Sequence, residues 1–272
     1  MKEFNEEEIL KYVRSNKIYG TLGSEGMVYK VGDDAIKLLK TVKGAEFMAS
    51  KEEKVDALIK NPIEGFSNIT GKVFNDEGKF VGYSMDFIEN KGDVADMCYK
   101  FAEHYTLDKK IEFLKKVEEL IKKAHSLGYI LNDVAIWNFL VTESNDVIGI
   151  DTDNFQFDKF KSETTPTYFL PYYQGLTRSE GRDENSDKFS FGLFAFQALM
   201  QYPFTNEGLE TYRPKSDYLN IHINRLDIPK EAKDELLELI SPNKEKEWVS
   251  KTLEKMSSST SKFLYLWYNM YM

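Results

Sequence analysis

The stretch from residue 124 to residue 153 constrains the fold of this chain more than any other. It reads AHSLGYILNDVAIWNFLVTESNDVIGIDTD, and its start completes an amphipathic helix that ends at a turn around Gly128. Two short apolar segments, residues 139–141 and 147–150, have the composition of buried strands, and the polar turn Glu-Ser-Asn-Asp separates them. We therefore predict a helix, a loop and a short hairpin, in this order.

Three polar residues stand at the edges of that hairpin. Asp133 and Asn138 precede the first strand, and Asp151 follows the second. Because the two ends of a hairpin lie side by side, we expect Asn138 and Asp151 to come close together. Carboxylate and amide oxygens are hard ligands, of the kind that bind magnesium carried by a nucleotide.

Charge and composition exclude several classes of partner. The 272 residues carry a formal net charge of −9, whereas nucleic acids and anionic membranes select basic surfaces. The single cysteine, Cys98, excludes an internal disulfide and fits a reducing compartment. The acidic start, MKEFNEEE, is unlike a signal peptide, and no apolar run is long enough to span a bilayer. We expect a cytoplasmic protein that binds neither nucleic acid nor membrane.

The first third of the chain predicts a strand-rich unit. Residues 18–31 contain three glycines between alternating strand residues, as in a hairpin whose turn approaches a ligand closely, and N–H groups in such a turn can bind phosphate. The next strand carries Lys37 among apolar residues. The predicted elements are helices at 6–13 (capped by Asn5) and 46–60, and five strands: two within 18–31, and one each at 35–39, 69–74 and 79–87.

From residue 93 onward the pattern is mainly helical, which makes the fold class α+β. Thr106 is predicted to cap a helix that runs through Leu127, with apolar residues recurring at helical spacing. A very apolar helix is predicted from Asp187 to Met200. The aromatic segment at 263–272 is predicted to pack against the core, with a dimer contact as the alternative.

The order of these motifs resembles that of the protein kinase family. Asp133, Asn138, the hairpin and Asp151 are similar to the family's catalytic loop and metal-binding aspartate. The resemblance implies a bilobal protein-kinase-like fold: an N-lobe at 1–88, with a five-stranded antiparallel sheet and one main helix, and a larger, mainly helical C-lobe at 89–272. The chain looks like a minimal bacterial-type serine/threonine protein kinase.

The resemblance implies where a nucleotide would bind. Gly23, Gly26 and Val28 match the last part of the family's glycine-rich loop, which covers the phosphates of ATP. Ala35 would pack against the adenine, and Lys37 would hold the α- and β-phosphates.

Two further segments would complete this nucleotide site. A glutamate on the helix at 46–60 would pair with the phosphate-binding lysine, and we assign this role to Glu53, with Glu52 as its solvated neighbour. Met85 would be the gatekeeper behind the adenine. The backbone of Asp86 and Ile88 would bind the edge of the base.

The second half of the chain carries two more features of the family. Thr165–Tyr172, with the sequence TPTYFLPY, is similar to the segment that holds a peptide substrate. Asp187 matches the family's buried aspartate. A buried carboxylate needs hydrogen-bond partners, and Asp187 would find them in the backbone of the catalytic loop, which it would brace.

Three departures from the family pattern bear on activity. Leu131-Asn132 replace a His-Arg pair, so no arginine at that point can receive a phosphorylated activation loop. Ala135 stands where the family has a phosphate-binding lysine. Asp153 stands where the family has the glycine of its Asp-Phe-Gly motif, so the chain gains a carboxylate there.

The function implied by the resemblance is transfer of the γ-phosphate of Mg·ATP to a protein hydroxyl. Asp133 would accept the proton of the hydroxyl, Asn138 and Asp151 would bind Mg²⁺, and Lys37, oriented by Glu53, would hold the phosphates. Three alternatives stay open: a pseudokinase that binds nucleotide or a partner, a small-molecule kinase, and a kinase-like transferase of another group. The protein substrate and the oligomeric state are not specified by these patterns.

Overall fold

The structure is a computed structural model, described here for residues 2–23, 25–40, 44–98, 105–162, 182–200, 230–239 and 248. The chain forms two compact units. The first comprises Met1–Glu89 together with Ile150–Asp153, and the second comprises Asn90–Gly149 and Asn154–Met272. The segment that follows the hairpin therefore belongs to the same unit as Lys37.

The first unit is a mixed sheet with two helices. Its strands are β1 (Lys2–Asn5), β2 (Thr21–Leu22), β3 (Gly26–Val31), β4 (Asp34–Leu39), β5 (Ile69–Phe74) and β6 (Phe80–Asp86), and its helices are α1 (Glu6–Ser15) and α2 (Ala45–Lys60). The sheet order is β1-β5-β6-β4-β3-β2, and β1 pairs parallel to β5 while the other pairs are antiparallel.

The sheet has six strands, so the prediction of a five-stranded antiparallel sheet is wrong. The missed strand is β1, whose four residues KEFN are too few and too polar to show an alternating pattern. It aligns Lys2 with Gly71 of β5, where a Cβ would lie 2.4 Å from the carbonyl oxygen of Lys2. The absence of a side chain at Gly71 thus allows β1 to approach, which is a long-range condition that the sequence of β1 does not contain.

The predicted α1 and its cap are confirmed. The side chain of Asn5 accepts a hydrogen bond from the N–H of Glu8 at 3.0 Å, and three glutamates fill the first turn, where the helix dipole favours negative charge. Ile9 and Val13 of α1 are buried against one face of the sheet, in a cluster with Ile36, Val73 and Val81.

The other face of the sheet meets α2. Because side chains alternate along a strand, Lys37 of β4 points away from the face that Ile36 presents to α1. Lys72 pairs with Glu52 and Asp56 of α2, and α2 buries Val55 and Leu58. Lys37 pairs with Asp153, which Lys51 of α2 also contacts. The predicted bounds of α2 agree with the structure to within one residue.

The second unit contains the predicted hairpin. Its strands are β7 (Gly92–Asp93), β8 (Phe139–Val141) and β9 (Val147–Gly149), which form one antiparallel sheet. Its described helices are α3 (Val94–Cys98), α4 (Leu107–Ser126), α5 (Glu184–Met200) and α6 (Lys230–Leu239). A 3-10 turn, Thr152–Asn154, begins in the first unit and ends in the second. The α+β class is confirmed. Among the described residues, no helix combines the length and the apolar character needed to cross a membrane.

The helix α4 leads into the candidate loop as predicted. Thr106 accepts a hydrogen bond from the N–H of Lys109, and the helix ends at Ser126, before a glycine with φ of +83° at position 128. The buried stripe of α4 comprises Ile111, Leu114, Val117, Ile121 and Ala124.

Candidate functional site

The glycine-rich turn is arranged by the sheet itself. The N–H of Gly23 donates to the carbonyl oxygen of Gly26 at 2.8 Å, so this donor is already used within the turn. A Cβ on Gly26 would lie 2.1 Å from the carbonyl oxygen of Leu38 in β4. Gly26 is therefore required by the close approach of β3 and β4, independently of any phosphate.

Strand register places the predicted base-binding residues on the face that carries Lys37. Val28 pairs with Lys37 across β3 and β4, and Lys37 and Ala35 pair with Tyr83 and Met85 across β4 and β6. Directly paired residues, and residues two apart on one strand, point to the same face. The apolar side chains of Val28, Ala35 and Met85 thus lie on the same side of the sheet as Lys37.

Some of the backbone groups predicted to bind the edge of the base already have hydrogen-bond partners within the protein. The N–H of Asp86 donates to the carbonyl oxygen of Asn68 at 3.0 Å, and the carbonyl oxygen of Asp86 accepts from the hydroxyl of Ser67 at 2.7 Å. A carbonyl oxygen has a second lone pair, so of the two backbone groups of Asp86 the carbonyl oxygen could still bind a ligand. Ile88 is half-buried just after β6.

The ammonium of Lys37 lies among three carboxylates of the first unit. Its Nζ is 3.1 and 3.3 Å from the two carboxylate oxygens of Asp153, 3.7 Å from Asp151 and 3.9 Å from Glu25. Lys37, Glu25 and Asp153 are almost completely buried, whereas the side chain of Asp151 is 36% exposed. Asp151, the predicted metal ligand, is therefore the carboxylate of this group that solvent reaches most.

A second buried lysine, Lys51 of α2, completes this ionic cluster. Its Nζ is 2.7 Å from Asp153 and 2.9 Å from Glu25. Glu25 stands just before β3, and its carbonyl oxygen accepts from the N–H of Lys40. We call Glu25, Lys37, Lys51 and Asp153 the buried ionic cluster. It connects the glycine-rich turn, β4, α2 and the segment after the hairpin.

Opposite charges close by keep Lys37 and Asp153 ionised despite their burial. Burial alone would lower the pKa of Lys37, but the charges of Asp153, Asp151 and Glu25 outweigh it and raise that pKa. Burial would likewise raise the pKa of Asp153, and the ammonium groups of Lys37 and Lys51 instead hold it well below its usual value. The pKa of the buried Tyr83 hydroxyl is raised well above its usual value by burial and by the charge of Asp153.

The structure does not bring Glu53 to Lys37. Glu53 is exposed, and its neighbour Glu52 pairs with Lys72 at 2.9 Å, so α2 contributes Lys51 to the cluster. The buried positions of α2 are 51, 54, 55 and 58, a helical stripe that excludes position 53. One helical turn before Val55, the same buried face of α2 carries Lys51. Following this spacing in the sequence would have identified Lys51 as the residue that α2 directs to the buried ionic cluster.

In the second unit, Asp133 and Asn138 are hydrogen-bonded to each other. The Nδ2 of Asn138 donates to the backbone carbonyl oxygen of Asp133 at 2.9 Å and to its Oδ2 at 3.1 Å. The Oδ1 of Asn138 is therefore the atom that this side chain would offer to a metal. Ala135 between them is completely buried, so the position that carries a lysine in the family is a core position here.

Asp187 braces this loop, as the resemblance implied. Its carboxylate accepts hydrogen bonds from the N–H groups of Leu131 at 2.7 Å and Asn132 at 2.9 Å, and it lies 2.9 Å from Nε2 of His125. The side chain of Asn132 donates to the carbonyl oxygens of Ile130 and Asn154, both at 3.1 Å. The residue that replaces the family's arginine thus stabilises the loop.

Two residues of the candidate site have a left-handed backbone. The φ angles of Asn132 and Asp151 are +67° and +61°. Asparagine and aspartate tolerate this conformation best among residues with a side chain, and such residues concentrate at functional sites. Asn132 directly precedes Asp133, the predicted catalytic residue, and Asp151 is itself a predicted metal ligand.

No preformed metal cluster is found within the described part of the chain. No group of three or more histidine, cysteine, aspartate or glutamate side chains there has the arrangement of a metal site. The predicted substrate segment Thr165–Tyr172 and the aromatic segment at 263–272 lie outside the described residues.

The charge state of Asp153 leads to a pH-dependent stability. Because its pKa is lowered on folding, the stabilisation by its ion pairs is present above the pKa of the unfolded chain, about 3.9, and is lost as the pH falls through the lower folded value. We expect Asp153→Asn to lower the melting temperature at pH 7, and this difference from wild type to shrink below about pH 4. Circular-dichroism melts of both proteins between pH 7 and pH 3 test this expectation. Parallel profiles over the whole range would contradict it.

Comparison with known proteins does not assign the chain to a family. No protein-family model matches the sequence, and no curated protein matches it either.

Proposed function

We propose that the chain is an ATP-dependent phosphotransferase of the protein-kinase-like type, acting on a protein hydroxyl. The observation that carries this proposal is the arrangement of the first unit. The apolar side chains of Val28, Ala35 and Met85 share one face of the sheet with Lys37, whose ammonium is 3.7 Å from the partly exposed Asp151. A purine base needs an apolar surface, its phosphates need a cation, and their magnesium ion needs a carboxylate.

The proposed roles follow the resemblance to protein kinases. Lys37 would hold the phosphates, and Asp151 would bind the magnesium ion that accompanies them. Asn138 would offer its Oδ1 to metal, and Asp133 would orient the acceptor hydroxyl and take its proton. Bound magnesium supplies neutralisation of the charge on the transferred phosphoryl group. The choice of a protein hydroxyl over a small molecule depends on Thr165–Tyr172 and is inferred from sequence alone.

A nucleotide-binding or partner-binding scaffold is the second candidate, and the charge around Lys37 favours it. Three carboxylates, Glu25, Asp151 and Asp153, already face the ammonium groups of Lys37 and Lys51. Phosphates would therefore meet a cation that the protein has largely neutralised. In addition, the core position of Ala135 supplies no second cation.

The first test of the proposal is stabilisation by nucleotide. Mg·ATP should raise the melting temperature increasingly with ligand concentration, because a ligand that binds only the folded state stabilises it by mass action. Lys37→Met should remove the shift. Lys72→Met is the matched control: Lys72 is also a buried lysine of the same sheet, but it pairs with Glu52 and Asp56, and its removal should leave the shift intact. A folded wild-type protein with no shift at millimolar Mg·ATP would refute nucleotide binding and leave only the partner-binding scaffold.

A further inference from the structure

We propose that Asp153 is the positioning residue of Lys37 and that Lys51 of α2 acts on Lys37 mainly through Asp153. The catalytic significance of this inference depends on the proposed function, in which Lys37 holds phosphate. The inference assigns to the segment after the hairpin a role that the sequence pattern placed on a glutamate of α2.

The distances around the Lys37 ammonium single out Asp153 among the neighbouring carboxylates. Asp153 is the carboxylate within hydrogen-bonding distance, at 3.1 and 3.3 Å through both of its oxygens, whereas Asp151 and Glu25 lie at 3.7 and 3.9 Å. A carboxylate that contacts an ammonium through both oxygens fixes the position of the ammonium and also stabilises its positive charge. The side chain of Asp153 is only 2% exposed, so water does not compete effectively for these bonds.

The charge that α2 brings to the cluster is positive. The buried residue that α2 directs there is a lysine, and two ammonium groups in one buried site repel each other. Lys51 therefore cannot pair with Lys37, and a carboxylate must lie between them. Asp153 is the closer of the two carboxylates in this position: one of its oxygens is 2.7 Å from Lys51 and 3.1 Å from Lys37, whereas Glu25 lies at 2.9 and 3.9 Å.

Asp153 is itself held in place by Lys51. Besides the ion pair with its carboxylate, the Nζ of Lys51 lies 3.4 Å from the backbone carbonyl oxygen of Asp153. Lys51 is also 2.9 Å from Glu25, which joins the glycine-rich turn to the same helix. A displacement of α2 would therefore reach Lys37 through Asp153, and a positioning role follows from this sequence of contacts.

A charge-balanced double variant separates positioning from simple structural support. Asp153→Asn leaves the buried ammonium groups with one carboxylate fewer and should destabilise the fold. Asp153→Asn combined with Lys51→Met removes one charge of each sign and should recover much of that stability. If Asp153 only balances charge, the double variant should also recover the wild-type NMR signal of Lys37 and the wild-type affinity for Mg·ATP. If Asp153 positions Lys37, the double variant should recover stability but neither of these two quantities.

Two measurements on the full chain report on Lys37. The first is the ¹⁵N NMR signal of its Nζ in protein labelled at lysine, assigned by its loss in Lys37→Met; hydrogen-bonded burial should make this ammonium visible in the wild type. The second is the affinity for Mg·ATP by calorimetry. The corresponding variants of a separate ion pair, Asp56→Asn and Asp56→Asn with Lys72→Met, serve as matched controls.

We expect the Lys37 signal to be lost or strongly broadened in Asp153→Asn and in the double variant, with affinity for Mg·ATP lowered about tenfold in both. Neither change should occur in the Asp56 controls. A wild-type Lys37 signal in the double variant would overturn the inference, as would recovery of nucleotide affinity together with stability. If the wild type binds no Mg·ATP, the proposed function fails, while the Lys37 signal still decides whether Asp153 positions that ammonium.

Discussion

Asp133→Asn should lower phosphate transfer by about a hundredfold or more while leaving the affinity for Mg·ATP close to that of the wild type. The physical reason is that Asp133 is proposed to orient the acceptor hydroxyl and take its proton, a contribution of this size when the base is correctly positioned. Its carboxylate is half-buried and accepts a hydrogen bond from Asn138, which an asparagine side chain oxygen can also accept. Transfer of label from radioactive Mg·ATP to a mixed protein substrate measures the effect.

The comparison variant for this experiment is Asp151→Asn. It removes a charge from the proposed metal site, so it should weaken magnesium-dependent nucleotide binding, which Asp133→Asn should not. Because Ala135 leaves the loop without the family's basic residue, turnover is expected to be slow, and the assay must detect rare events. Equal labelling by the wild type and Asp133→Asn would count against catalysis and favour the scaffold.

Asp187→Ala should destabilise the second unit by about 3–5 kcal/mol. The carboxylate of Asp187 is completely buried and accepts from the N–H groups of Leu131 and Asn132, so its removal leaves two buried donors, and His125, without their partner. Urea unfolding followed by tryptophan fluorescence measures this loss, since all three tryptophans belong to the second unit.

Two variants control for the size of this effect. Asp187→Asn keeps one acceptor oxygen at the same place and should cost less than alanine. Asp146→Ala removes a carboxylate that is 64% exposed and should change the free energy of unfolding by less than about 1 kcal/mol. Similar losses for Asp187→Ala and Asp146→Ala would show that the loop does not depend on this brace.

The local elements of this protein were determined by its sequence. The cap at Asn5, the bounds of α2 and the two strands of the hairpin all agree with the prediction, because caps, apolar periodicity and turn residues act within a few positions of the chain. The hydrogen bond between Asn138 and Asp133 is equally local, because both residues belong to one short loop.

Tertiary structure alone decided which charges are paired. The sequence pattern placed a glutamate of α2 against Lys37, but the rotation of α2 buries Lys51 and leaves Glu53 exposed. The carboxylate that Lys37 then requires comes from Asp153, on a segment far away along the chain. Burial makes unpaired charge costly, so the pairing is selected by the packing of distant segments, and a local pattern cannot specify it.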